Sequence, residues 1–188
     1  MNYALPHSVD EALSILNSEA NSTVFAGATD LIPQIRGGRP EPGLIVDLKN
    51  IPSLVNLSFS NGTWKIGAAT PVARIKNNVK LTKEFPGLSE ASGLIGSDQI
   101  QNRASLGGNV CTASPGADTV PSLMVNDALV VIASNERPRT IPVADVITGP
   151  GSISLETGEF IIEFLLQQSP PRTSDAYERF IPRTEMDI

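Results

Sequence analysis

A single cysteine, Cys111, leaves this chain unable to form an internal disulfide. The single histidine, His7, lies far from it in sequence. One Cys and one His do not make a zinc or iron–sulfur site, each of which needs several such ligands. No HExxH, Walker A loop or GxGxxG occurs. A nucleophilic triad would have to use His7 as its base, yet Pro6-His7-Ser8 reads as a helix entry. No apolar run approaches the roughly 20 residues of a membrane-spanning helix, so no membrane span is expected. The start, MNYALPHSVDEAL, has neither the charged nor the apolar region of a signal peptide. Basic charge is sparse: 14 Lys and Arg against 20 Asp and Glu, scattered rather than striped, which argues against a nucleic-acid partner. With no disulfide and no leader, the expected compartment is the cytoplasm.

What is present suits a folded protein. The 188 residues can bury a real core in one or two small domains. A 40% hydrophobic content, with 15 Gly and 15 Pro, describes a globular chain with many turns rather than a disordered one.

The local signals alternate. Ser8-Val9-Asp10-Glu11 is a capping box, and it predicts a helix over Val9–Ser18 with Val9, Ala12, Leu13 and Leu16 on one face. A buried strand over 23–26, a helical turn over Leu31–Arg36 ended by Gly37-Gly38, and a strand over 44–48 follow. That order predicts a small parallel β unit. Past residue 57 the texture changes. Segments 55–59 and 64–68 flank Asn61-Gly62, a hairpin turn signal. Thr70-Pro71 opens a helix over 72–78, with Pro71 at its first position. Further helices are predicted over 87–94 and 120–125. Strands are predicted over 128–133, 140–143, 159–166 and 176–182, suggesting an antiparallel or mixed sheet. The boundary near residue 57 divides the chain into subdomains 1–57 and 58–188.

Two stretches stand out chemically. Residues 99–121, QIQNRASLGGNVCTASPGADTVP, form a long, weakly charged run rich in small side chains. Its paired glycines, Gly107 and Gly108, would let backbone approach a bulky ligand or adopt positive φ, with N–H groups free to meet an anion. Residues 25–31, FAGATDL, join a strand to a helix start, where unsatisfied N–H groups favour phosphate. There Asp30 reads as a cap or loop support, with anion contacts from the backbone of 27–30 and the Thr29 hydroxyl. Asp118 reads on its own as the N-cap of the next helix, Cys111 as a small buried thiol, and Ile95 and Ile161 as core residues.

SLGGNVCTASPGAD resembles the second flavin loop of the FAD-binding subunits of molybdenum hydroxylases, the xanthine dehydrogenase and aerobic carbon monoxide dehydrogenase family. Ser105, Leu106, Gly107, Gly108, Asn109, Ala113, Ser114, Pro115 and Asp118 match it in order. FAGATDL resembles the first flavin loop, with Ala28 where the family's second glycine usually stands. An alanine there costs about 1 kcal/mol if the site needs positive φ. The tail YERFIPRTEMDI is similar to the family's Y-x-K-x-x-x-R-x-x-x-D-I.

The resemblance implies an α+β fold of the FAD-binding PCMH type, with FAD between the two subdomains. It places Ala26, Gly27, Ala28, Thr29, Asp30, Leu31, Ser105, Gly107, Gly108 and Asn109 around the pyrophosphate. Asp118 would lie on the ribityl or sugar hydroxyls, and Ile95 and Ile161 against the flavin. It implies an electron-transfer role between an iron–sulfur subunit and an external acceptor, beside a molybdopterin subunit that oxidises the substrate. No catalytic residue is expected in this chain, nor activity on organic substrates by the chain alone. The family continues past the D-I pair into a further domain. The first loop lacks the histidine by which related oxidases tether FAD, so non-covalent binding is expected. The alternatives are a self-contained flavin oxidoreductase of the same fold, or an interaction module without FAD.

Overall fold

The computed structural model describes residues 2–180. The chain opens with strand β1 (Asn2–Ala4), helix α1 (Val9–Ser18), β2 (Ser22–Phe25), α2 (Leu31–Arg36) and β3 (Leu44–Asp47). These strands form a parallel sheet in the order β1-β3-β2, with Tyr3 opposite Ile45 and Thr23 opposite Ile45 on the other side. The capping box works with one change. Ser8 Oγ accepts from the Glu11 amide at 3.1 Å, but the Glu11 carboxylate reaches one residue further back, to the His7 amide at 2.7 Å. Ala12, Leu13 and Leu16 face the sheet and are buried.

The hairpin β4 (Leu57–Ser60) and β5 (Thr63–Gly67) turns at Asn61 (φ 50°) and Gly62 (φ 73°), the paired positive angles of a tight two-residue connection. Six helices follow: α3 (Val72–Lys76), α4 (Val79–Glu84), α5 (Pro86–Leu94), α6 (Asp98–Gln101), α7 (Leu106–Thr112) and α8 (Thr119–Val125). Then come β6 (Leu129–Ala133), β7 (Arg139–Pro142), a short hairpin of β8 (Ile147–Gly149) and β9 (Ser152–Ile153), and β10 (Phe160–Gln167). β10 inserts between β5 and β6, giving an antiparallel sheet ordered β4-β5-β10-β6-β7. The fold is α+β.

One apolar core lies between this sheet and the helices, around Trp64, Leu88, Leu106, Leu123 and Phe164. A second joins the two sheets: Leu13, Leu16 and Val46 pack with Leu54, Ala133 and Phe160.

The structure departs from expectation in several places. β1 was not anticipated, because three residues that pair only with a distant strand carry no local signal. Pro71 precedes α3 rather than opening it, and the Thr70 hydroxyl bonds to the Asn56 carbonyl at 3.0 Å instead of capping. That helix stops at Lys76, because Asn78 caps α4 by accepting from the Leu81 amide at 3.0 Å. The strand expected over 176–182 does not form through residue 180, and residues 181 and 182 lie outside the described part. Asp175 instead caps α5, accepting from the amides of Gly87 (2.9 Å) and Leu88 (3.1 Å), so the segment is fastened to a helix start. The long stretch over 99–121 is mostly helical, not an open loop.

Candidate functional site

A cleft of about 880 Å³ opens between the two sheets. Small-molecule sites run to about 1,000 Å³, so this one accommodates a large ligand. Residues from both expected subdomains form its walls. Ala26, Gly27, Ala28, Thr29, Asp30, Leu31, Ile95, Ser105, Gly107, Gly108, Asn109, Asp118 and Ile161 all border it.

The turn over 26–31 carries β2 into α2. Ala28 sits at φ 59°, the left-handed region that an L-residue enters at a cost of roughly 1 kcal/mol. The Ala28 carbonyl accepts from the Ile32 amide at 3.2 Å. The amides of Gly27, Ala28, Thr29 and Asp30 and the Thr29 hydroxyl make no hydrogen bond among the described residues. Successive free amides around a left-handed residue form a concave anion site. Asp30 occupies the N-cap position of α2 without a side-chain cap bond. Its carboxylate lies 3.2 Å from the Thr112 hydroxyl, linking this turn to α7 across the cleft. It supports the loop rather than capping the helix.

The glycines of the second stretch do different work from that expected. Neither Gly107 nor Gly108 has positive φ; both lie in the first turn of α7. The Gly107 amide bonds to the Ala68 carbonyl at 3.0 Å, and the Gly108 amide to the Ser105 hydroxyl at 3.2 Å. Those donors are already engaged, which corrects the reading of this pair as free anion contacts. A Cβ on Gly107 would stand 2.7 Å from the Ala68 carbonyl oxygen, so this glycine admits a neighbouring strand end. Gly27 likewise admits backbone, since a Cβ there would collide with the Arg103 carbonyl. Only at Gly108 would a Cβ meet nothing closer than Ser105 Oγ, at 3.5 Å; its face is open.

Asn109 turns inward: its Oδ1 accepts from the Thr119 amide (3.2 Å) and hydroxyl (2.5 Å), and so caps α8. That leaves Asp118 without a capping bond, contrary to its local reading. Asp118 accepts from the Tyr177 hydroxyl at 2.8 Å and pairs with Arg179 Nε at 3.6 Å. Ile161 is buried beneath the cleft, while Ile95 is half-buried at its edge.

Cys111 lies on the cleft wall and as a residue is exposed, where a buried one was expected. Its thiol group is nonetheless packed among protein atoms, and that desolvation pushes it up to about 12, so it stays protonated at neutral pH. The hairpin β8–β9 adds Ile153 to the wall, followed by Leu155 and Glu159. The Arg139 guanidinium grips Glu159 at 3.0 and 2.7 Å and holds its carboxyl below the usual range. Sequence reasoning missed this hairpin, Arg139 and Arg179. For Arg179 a signal existed in the tail motif, whose remaining residues 181–188 lie outside the described part. Among the described residues no group of three or more His, Cys, Asp or Glu could hold a metal ion. No helix among them is long and apolar enough to cross a membrane.

Comparison with known proteins follows the same outline. The chain is 31% identical over 183 residues to the 6-hydroxypseudooxynicotine dehydrogenase complex subunit alpha of Paenarthrobacter nicotinovorans, covering 97% of this chain and 62% of that one. It is 29% identical over 180 residues to the xanthine dehydrogenase FAD-binding subunit of Escherichia coli O157:H7, covering 95% and 62%. The chain thus spans less than two thirds of these relatives. In three dimensions it superposes on a chain of the carbon monoxide dehydrogenase of Hydrogenophaga pseudoflava with a TM-score of 0.93, at 27% identity, covering 98% of this chain and 65% of that one. Residues 1–166 match the family described as the FAD binding domain in molybdopterin dehydrogenase, and this chain belongs to that family and is an FAD-binding domain.

Proposed function

We propose that this chain is the FAD-binding electron-transfer part of a molybdenum hydroxylase complex. It would receive electrons from an iron–sulfur subunit and pass them to an external acceptor, while a molybdopterin subunit oxidises the substrate. The observation that carries this reading is the pairing of four free amides at 27–30 with a large cleft walled by both subdomains, 1–57 and 58–188.

The residues present fit the cofactor. A pyrophosphate carries about two negative charges, and convergent amides with the Thr29 hydroxyl stabilise it without a lysine in contact. The open face of Gly108 lets the ligand lie close to α7. Asp118 keeps acceptor capacity beyond its hydrogen bond from Tyr177 and its ion pair with Arg179, which suits the hydroxyls of a ribityl or ribose. Ile95 and Ile161 offer an apolar wall to a flat ring system. Bound FAD supplies the redox chemistry. This chain's own residues bind and orient, and none is assigned a proton-transfer step.

The test is a titration of the chain with FAD, followed by acid precipitation. Saturable binding with quenched flavin fluorescence, and full release of flavin to the supernatant in acid, is the expected result. Flavin retained on the denatured polypeptide would overturn the non-covalent reading, and absence of binding would overturn the proposal. Activity on organic substrate is expected only when partner subunits are added.

A further inference from the structure

Beneath the 26–31 turn lies a polar cluster to which the flavin reading assigns no role. Asp47 ends β3 and is 4% exposed. Its Oδ1 accepts from Lys49 Nζ at 2.6 Å and from the Lys49 amide at 2.9 Å, and its Oδ2 accepts from the Tyr3 hydroxyl. The same Lys49 ammonium donates to the Ala26 carbonyl at 2.8 Å and stands 4.2 Å from the centroid of the Phe25 ring. All three strands of the parallel sheet meet here: Tyr3 from β1, Phe25 at the end of β2, Asp47 at the end of β3. A largely buried ion pair is weak evidence for stability, since desolvation can offset the attraction between its charges. What this one adds is a grip on one backbone carbonyl, that of the residue before Gly27.

We infer that Lys49, held in place by Asp47 and Tyr3, is a positioning residue for the anion-binding turn, aiming the Gly27 amide by gripping the Ala26 carbonyl on the opposite side of the same peptide. The inference rests on the pyrophosphate reading above. A trans peptide points its C=O and N–H in opposite directions, and no cis peptide occurs among the described residues. Fixing the carbonyl therefore fixes the amide, which makes no hydrogen bond among the described residues and belongs to a residue bordering the cleft. A cation on the carbonyl also polarises the peptide and strengthens its N–H as a donor. Lys49 itself does not border the cleft, so it acts through the backbone.

The experiment compares FAD with riboflavin, which lacks the pyrophosphate, by fluorescence titration of the full 188-residue chain. The variants are Lys49→Met and the double variant Lys49→Met/Asp47→Asn, which removes both charges together and leaves no unpaired buried carboxylate. The wild-type chain should bind FAD more tightly than riboflavin. Both variants should lose about tenfold in FAD affinity, the scale of one hydrogen bond to a charged group, with riboflavin affinity kept within about twofold. Unchanged FAD affinity in both variants would overturn the inference. So would FAD and riboflavin affinities falling together, the mark of a general loss of structure, which the melting temperature without flavin reads independently. Wild-type protein that binds FAD no more tightly than riboflavin would overturn the pyrophosphate reading itself.

Discussion

At the scale of single residues, the cleft wall includes one conformation that costs energy, Ala28 at φ 59°. Replacing it with glycine removes a strain of roughly 1 kcal/mol, partly offset by the greater freedom of glycine in the unfolded chain. Ala28→Gly should therefore stabilise the protein by up to about 1 kcal/mol in a denaturant titration, with FAD affinity equal or better. A marked loss of affinity would show that the Ala28 methyl contacts the ligand. Asp47 makes a prediction in pH. Burial raises its pKa, but hydrogen bonds from Lys49 and Tyr3 outweigh that and hold its carboxyl below the usual value. A depressed folded-state pKa contributes stability above the unfolded value of about 3.9, and loses it as pH falls through the folded one. Wild type should exceed Asp47→Asn in stability near pH 7. The difference should shrink once pH falls below about 4, which urea titrations at several pH values would read. A difference independent of pH would show that the carboxylate's charge contributes nothing.

At the scale of elements, α7 divides the work of its two glycines. Gly107 is where the helix start meets the end of β5, and Gly108 is where it faces the cleft. Gly107→Ala should force backbone apart and cost stability, on the order of 1–3 kcal/mol for an overpacked buried site. Gly108→Val should leave the melting temperature without flavin nearly intact, yet abolish FAD binding by filling the open face with a branched side chain. If Gly108→Val binds FAD normally, the ligand does not pass over α7. If Gly107→Ala is neutral, the close approach to Ala68 relaxes without cost. Much of this level was legible in the sequence. The capping box at Ser8 and the Asn61-Gly62 turn work by contacts within a few residues, and α1 and the first hairpin form where those signals lie. The break between α3 and α4 was not foreseen, although Asn78, its cap, stands in the sequence as a usable signal.

At the scale of the molecule, the cleft depends on how the two sheets are held. The core that joins them runs through Phe160, 1% exposed, which also borders the cleft. Phe160→Ala should cost about 3–5 kcal/mol in a denaturation experiment, as for other large core truncations. It should also weaken FAD binding more than a truncation of equal cost in the other core, such as Leu123→Ala, because only Phe160 lies at the joint. Equal effects of the two on affinity would show that the joint does not set the cleft.

The sequence by itself determined the family, the α+β class, most element positions and thirteen of the residues that border the cleft. Each of these is carried by short-range pattern or by motifs whose spacing survives in the chain. Only the tertiary structure decided what those residues do. That Gly27 and Gly107 make room for backbone while Gly108 faces the cleft depends on which distant segment arrives beside each one. That Asn109 rather than Asp118 caps α8, freeing Asp118 to meet Tyr177 and Arg179, depends on an approach across 59 positions of sequence. Among the described residues no acceptor pairs with the amides of 27–30, and a property of that kind belongs to the whole packed chain.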